Sequence, residues 1–353
     1  ADRIGTMSGG GIVTINEKEA LRDTVGFDNV SPIIEAQDIN PTCHGQPYNV
    51  FLEDYFALHM IQDVAIKLAH FYSGTFSHTV RRLREHGTKI TYTVPAHDRH
   101  VTVEEFQRLG IPYPYNHISD DKLWKKFSQG YRESDVIITP SQASAKFMIE
   151  EGCQRVSIIP HGHNPVDPRN IVPLSQQFNV GYLGQSGPDK GLFYLLQAWA
   201  KLNYFDSRLI IGGVETEKLA PYINSIAGRG NFELLGFIPR AESLYNSVAL
   251  YVQPSVCEAF GIEILEAMAH GRPVIACAGA GASEIITNGV DGFVVPIRDV
   301  DAIADRIDWC YHNRSKLAEI GQKGMAKAAN YTWDKMRQKY QDVWRSLLST
   351  TVS

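Results

Sequence analysis

Short runs of β-branched and aromatic residues alternate along the chain with longer stretches whose apolar positions recur every three or four residues. In the first half the runs at 90–94, 136–139 and 156–159 predict strands, and the stretches at 123–133 and 144–151 predict amphipathic helices. The second half keeps the rhythm, with strands at 178–183, 208–211, 232–235, 248–252 and 273–276 and helices at 191–202, 260–270 and 302–311. A last amphipathic helix is predicted over 333–348. Strands that are apolar at nearly every position need cover on both faces, so the pattern specifies α/β units built on parallel sheets. Four prolines and one glycine fall within 160–173, which marks a linker and divides the chain into two domains of similar size.

A length of 353 residues suits that division, since each half can bury its own core. The net charge of -5 argues against a nucleic-acid partner, which calls for a basic face. Local basic clusters, Arg81-Arg82-Leu83-Arg84 and Lys122-Leu123-Trp124-Lys125-Lys126, read as solvated helix faces. Peripheral contact with an anionic membrane surface is their other reading. Cys43, Cys153, Cys257, Cys277 and Cys310 are scattered and form no Cys-x-x-Cys pair, which suggests a reducing compartment. No apolar run approaches the roughly 20 residues of a membrane span, and no leader is recognisable, so a cytoplasmic location is expected.

The densest candidate chemistry is Glu258-Ala259-Phe260-Gly261-Ile262-Glu263-Ile264-Leu265-Glu266. The predicted helix 260–270 is stopped by Gly271 at its C′ position. Glu258 then stands at the helix mouth and Glu266 lies roughly 12 Å further along at the standard rise, close to the span from a sugar across a diphosphate to a ribose. The amides of Phe260, Gly261 and Ile262 fall at the positive helix end, where an anion binds readily. Alone, such a pair of acids reads as a dipole complement and a surface charge. Its setting changes that reading: strand, Pro254-Ser255 loop, Glu-x-Phe-Gly, Leu-Glu-Ala-Met and Gly-x-Pro-Val-Ile follow in unbroken order.

In this order the segment resembles the large family of retaining glycosyltransferases numbered four, whose hallmark is Glu-x7-Glu. Gly184-Gln185-Ser186-Gly187-Pro188-Asp189-Lys190-Gly191-Leu192 is similar to that family's Gly-Arg-Leu…Lys-Gly segment, and 279–284 and 288–293 resemble two later loops. The resemblance implies an α/β GT-B fold, two Rossmann-like domains facing across a central cleft. It implies that Glu258 contacts the donor sugar, Glu266 the nucleotide ribose, Lys190 the diphosphate and the backbone near Ile238 the nucleobase. Most relatives carry Arg where this chain has Gln185, so a second cation expected at the diphosphate is missing. Arg272, beyond the helix's far end, is poorly placed to replace it.

In the first half, Ser8-Gly9-Gly10-Gly11 lets backbone amides approach a phosphate closely. The resembled family sets a Gly-Gly loop, here Gly10 and Gly11, against the donor diphosphate. His97 follows the strand 90–94, where a parallel sheet presents ligand-facing residues. The resemblance puts it near the transferred sugar and the acceptor, and reads His161 as structural. The implied domains are an acceptor-side domain, 1–164, and a nucleotide-sugar domain, 165–333, with the C-terminal helix near 334–353 returning to the first.

The function implied is transfer of a hexose, with retention, from a nucleoside diphosphate sugar to a hydroxyl of a saccharide, lipid-linked or small-molecule acceptor. Glu258, Lys190 and His97 would carry the reaction, with no cofactor and no metal. Asp299-Val300-Asp301 spells a metal-binding Asp-x-Asp, but it opens the helix 302–311, where acids cap the first turn. A nicotinamide oxidoreductase is excluded because no complete Gly-x-Gly-x-x-Gly with its acidic partner is present. A non-catalytic sugar- or nucleotide-binding subunit and a glycoside phosphorylase remain as alternatives.

Overall fold

The computed structural model describes residues 20, 66–72, 77–95, 98–112, 120–185, 187–202, 204–213 and 231–349. The chain divides into two compact units, one of 1–103, 110–160 and 334–353, the other of 104–109 and 161–333.

Among the described residues the first unit holds a parallel sheet in the order β1-β2-β3-β4, formed by β1 Leu68–Tyr72, β2 Lys89–Thr93, β3 Val136–Thr139 and β4 Val156–Ile158. Its helices are α1 Ser77–Glu85, α2 Arg99–Arg108 (whose end, from Glu104, groups with the second unit), α3 Asp121–Phe127, α4 Gln129–Arg132 and α5 Gln142–Glu150. The single helix predicted over 123–133 is thus two. Ser128, at φ -86 and ψ 7, leaves the helical basin, and its hydroxyl donates to the Trp124 carbonyl at 2.8 Å. Strand β1 was not evident in the sequence, because Leu68-Ala69-His70-Phe71-Tyr72 has neither alternation nor β-branched residues.

Alternation of side chains along β2 sends Tyr92 to one face and Thr91 and Thr93 to the other. Tyr92 stacks on Phe71 and meets Tyr131 edge-on, at centroid distances of 4.9 and 5.1 Å. Both threonines are fully buried and need hydrogen-bond partners. The last helix, Trp333–Ser349, supplies them: Trp344 Nε1 donates to Thr91 at 3.1 Å, and the Tyr340 hydroxyl lies 2.9 Å from that of Thr93. Both aromatic rings are fully buried.

The second unit holds a six-stranded parallel sheet in the order β10-β9-β8-β5-β6-β7. Its strands are β5 Val180–Leu183, β6 Leu209–Gly212, β7 Phe232–Gly236, β8 Leu250–Gln253, β9 Val274–Cys277 and β10 Phe293–Val295. From β5 the chain builds outward through β6 and β7, then crosses back to lay β8 on the other side of β5. Loops leaving the carboxyl ends of β5 and β8 therefore diverge from neighbouring strands, the arrangement that opens a ligand crevice in such sheets. The helices are α6 Leu192–Leu202, α7 Ala241–Ser247, α8 Ile262–Ala269, α9 Val300–His312 and α10 Arg314–Ala328; the last helix, α11 Trp333–Ser349, groups from Asp334 with the first unit. Within the second unit the fully buried Glu105 accepts hydrogen bonds from Tyr194 at 2.9 Å and from Arg298. Asp299 caps α9 by accepting from the Ala302 amide at 2.9 Å, and Asp301 is paired with Lys201 of α6.

Replacing Trp344 by Ala removes a large buried ring and orphans Thr91. A loss of about 3–5 kcal/mol is expected, read as a lower midpoint in chemical denaturation; an unchanged midpoint contradicts this account of how α11 is held.

Candidate functional site

The loops after β5 and β8 meet with almost no space between them. Gly191 has φ +71, and a Cβ there would stand 2.0 Å from the Pro254 carbonyl oxygen. The Asp189 carbonyl accepts from the amides of Val256 and Cys257 at 2.9 and 3.2 Å. Those bonds lock the 3-10 turn Pro188–Lys190 onto the segment that leads to Glu258. The loop after β9 closes the other side. Glu258 N donates to Gly279 O at 2.9 Å, Gly281 N to Glu258 O at 3.0 Å, and a Cβ on Gly279 would reach to 2.1 Å from Val256 O.

This frame brings two of the sequence-predicted residues together: the Lys190 ammonium pairs directly with the Glu258 carboxylate. Their side chains are 22% and 17% exposed, so the pair is poorly hydrated yet open to a ligand. Burial opposes the charge on Lys190, but Glu258 and Asp189 more than offset it and hold its pKa above the usual lysine value.

Helix α8 starts two residues later than the sequence suggested, at Ile262, because Gly261 takes the N-cap position with φ +89. Phe260 is outside the helix, its ring buried edge-on against His161 at 5.1 Å. His161 is itself buried, and burial lowers its pKa to about 3, so the ring is neutral and packs as the sequence suggested. Gly271, at φ +69, follows the helix end. Glu266, one turn before it, accepts a hydrogen bond from Tyr245 at 2.9 Å. Burial raises its pKa and the tyrosine hydroxyl opposes that rise. Ile238 lies after β7, its side chain against Gly212: a Cβ there would stand 2.2 Å from Ile238 Cδ1. Gln185 is exposed, and its carbonyl accepts from the Tyr182 hydroxyl at 2.8 Å. Arg272 is buried and donates to the carbonyls of His270, Val248 and Val172, so it is committed elsewhere. Gly10, Gly11 and His97 lie outside the described residues.

Sequence reasoning missed Tyr245, Glu263, Gly212 and Gly213. Gly213, at φ +142, leaves no room for a side chain, since its Cβ would be 1.8 Å from Gly184 O. Only the Gly-Gly pair ending the run Leu209-Ile210-Ile211 signalled this approach of β6 to the loop after β5. Tyr245 comes from α7 and could be matched to Glu266 only in three dimensions.

The family model described as "Glycosyl transferases group 1" matches residues 167–327. That segment belongs to this glycosyl transferase family. The chain is also similar to the capsular polysaccharide biosynthesis glycosyltransferase CapM of Staphylococcus aureus, at 30% identity over 47% of this chain and 47% of that protein. It spans about half the length of the first curated relatives it matches, 47% and 60%. Among solved structures, sucrose-phosphate synthase from Thermosynechococcus elongatus superposes with a TM-score of 0.72 at 19% identity, over 97% of this chain and 94% of that one. Anabaena Alr3699/HepE in complex with UDP-glucose gives 0.69 at 20% identity, over 97% of each chain. These likenesses establish the GT-B fold. The matched glycosyl transferase segment contains Lys190, Glu258, Glu266 and the three loops that fix them.

The close approach at Gly191 yields a contrast. Gly191→Ala is expected to cost more than about 2 kcal/mol, because a clash adds to the left-handed backbone penalty. Gly289→Ala, at φ +79 with nothing within 4 Å, bears the backbone penalty alone. Equal losses in Tm for the two variants contradict the packing of the β5 and β8 loops described here.

Proposed function

We propose that the protein is a retaining, metal-independent glycosyltransferase that moves a hexose from a nucleoside diphosphate sugar to an acceptor hydroxyl. The observation that carries this reading is the Lys190–Glu258 pair at the sheet's switch point, beside the start of α8. The solved complex of Anabaena Alr3699/HepE with UDP-glucose supports a nucleotide sugar as the donor.

On this reading the entering diphosphate takes the Lys190 ammonium and frees Glu258 to accept hydrogen bonds from the sugar hydroxyls. The amides of Phe260, Gly261 and Ile262, at the start of α8, add a positive end to the site. Glu266, positioned by Tyr245, accepts from the ribose hydroxyls, and Ile238 lies against the base. Negative charge grows on the diphosphate as the glycosidic bond breaks, and Lys190 stabilises it; such fixed electrostatics are often the largest part of catalysis. The acceptor hydroxyl attacks from the face the leaving group departs, and the leaving phosphate oxygen takes its proton. His97, Gly10 and Gly11 belong to the same proposal, with His97 on the acceptor side and the glycine amides on the diphosphate. The acceptor is a saccharide, a lipid-linked sugar or a small molecule. With Asp299 capping α9 and Asp301 paired with Lys201 of α6, this reading gives the charge stabilisation to Lys190 and not to a metal. Among the described residues no helix is long and apolar enough to cross a membrane.

A thermal-shift panel of nucleotide sugars tests the donor, since a ligand at about 100 times its Kd adds roughly 2.7 kcal/mol to the folded state. Failure of every nucleotide sugar to raise Tm overturns the reading. With the donor known, Lys190→Met, Glu258→Gln and Glu266→Gln are each expected to lower kcat/KM for slow donor hydrolysis by about 10²–10³. Chelator leaves the wild-type rate unchanged, and the transferred sugar keeps its anomeric configuration by NMR. Binding without any turnover, even with cell extract as acceptor source, identifies a non-catalytic binding subunit instead. Turnover that requires inorganic phosphate identifies a phosphorylase.

A further inference from the structure

Strands β5 and β8 part before they end. Their ladder pairs Val180 with Leu250 and Gly181 with Tyr251 and stops there, although each strand runs on for two residues. On the outer sides pairing continues to the tips, Leu183 with Gly212 of β6 and Gln253 with Ala276 of β9. The sheet therefore splits at its switch point, and the two tips lead into the loops that carry Lys190 and Glu258. The fully buried Tyr251 crosses this split: its hydroxyl donates to the Leu183 carbonyl at 3.1 Å.

Two more polar residues continue from that hydroxyl. Gln253, on the same face of β8 as Tyr251, places Oε1 2.6 Å from Tyr251 Oη and Nε2 2.8 Å from Ser255 Oγ. All three side chains are buried. At Ser255 three backbones meet: a Cβ on Gly191 would stand 3.4 Å from its amide nitrogen, and one on Gly279 would stand 2.7 Å from its carbonyl oxygen. Burial pushes the Tyr251 pKa well up, so the hydroxyl keeps its single proton. One proton cannot serve both the Leu183 carbonyl and an amide oxygen. Each of the three contacts has its own proton when Gln253 turns its NH2 to Tyr251 and its oxygen to the Ser255 hydroxyl.

We propose that Gln253 is a positioning residue of the nucleotide-sugar site: the hydrogen-bonded run Ser255–Gln253–Tyr251–Leu183 ties the two strand tips across the split and sets the spacing of Lys190 and Glu258. This rests on the donor-site reading above and goes beyond it, since Gln253 acts through Ser255 and Leu183. Backbone contacts fix where the two loops touch, and these side chains fix how far the strands beneath them open. When that opening changes, the diphosphate still meets the Lys190 ammonium. The sugar is no longer held in line with it, so turnover falls more than binding does.

The experiment is the hydrolysis, by wild type and variants, of the nucleotide sugar that stabilises the wild type. Tyr251→Phe, Ser255→Ala and Gln253→Met are each expected to lower kcat about tenfold while KM changes less than about threefold. The three residues act as one run, so Tyr251→Phe combined with Ser255→Ala is expected to lower kcat no further than either alone. Independent sites would multiply to about a hundredfold. Gln253→Glu is the conservative variant. Its neutral carboxyl copies the amide, with O–H toward Tyr251 and C=O toward Ser255, whereas the ionised form only accepts and draws the tyrosine proton away from Leu183. A carboxyl loses its proton as pH rises, so its kcat is expected to be close to wild type at about pH 5 and to fall about tenfold relative to wild type by about pH 9. Tyr251→Phe removes a single oxygen and keeps the packing, so it carries the test where a Gln253 variant does not fold. A wild-type kcat in Tyr251→Phe with only Tm lowered, multiplied losses in the double variant, or a Gln253→Glu ratio that does not change with pH overturns this proposal and leaves the nucleotide-sugar site standing. Absence of turnover with every nucleotide sugar overturns both.

Discussion

The contact between the loops after β5 and β8 is the constraint on which the second unit's chemistry depends. Gly191 meets the Pro254 carbonyl with no side chain between them, and Asp189 accepts the amides of Val256 and Cys257. Two segments far apart in sequence are thereby held as one rigid edge, with Lys190 on one and Glu258 on the other. Neither side chain needs its own loop to be rigid, because backbone hydrogen bonds between the loops set both. The topology makes this edge available: β5 and β8 are neighbours from which the chain leaves in opposite directions.

Charge at this edge is finely divided. A lysine surrounded by carboxylates keeps its proton firmly, and a cation so held is a dependable partner for phosphate. The same crowding makes ionising every acid at once costly: burial and the Glu258 charge push the Glu263 pKa up, and Lys190 opposes that rise. Glu266 is treated differently. It is also buried, but the Tyr245 hydroxyl donates to it and favours its charged form. Burial pushes both acids up, opposed at Glu263 by Lys190 and at Glu266 by the Tyr245 hydroxyl.

The first unit shows a comparable dependence on remote partners. Thr91 and Thr93 are buried polar residues in a central strand, and their hydroxyls are satisfied by Trp344 and Tyr340 from the far end of the chain. The strand and the last helix are then mutually required, which is why α11 groups with the first unit although it follows the second in sequence.

Read from residues alone, the chain already shows its α/β alternation, most strands to within two residues, the helix ending at Gly271 and the segment containing Lys190, Glu258 and Glu266. These were legible because apolar periodicity, left-handed glycines and the Glu-x7-Glu spacing are local features. The Lys190–Glu258 pairing, the Tyr245–Glu266 bond and the Trp344–Thr91 bond that ties α11 to β2 emerge only in three dimensions, since each joins residues separated by 21 to 253 positions. Strand β1 escaped because Leu68-Ala69-His70-Phe71-Tyr72 has no strand periodicity, and its pairing with β2 is what makes it a strand. The start of α8 slipped because Gly261 turns the backbone to φ +89 while the Cβ position stays open toward Glu258 and Ala280, a matter of local packing that spacing does not record. Glu263 reads in the sequence as one more acid in a first turn; only the fold brings Glu258 and Lys190 close enough to shift its pKa.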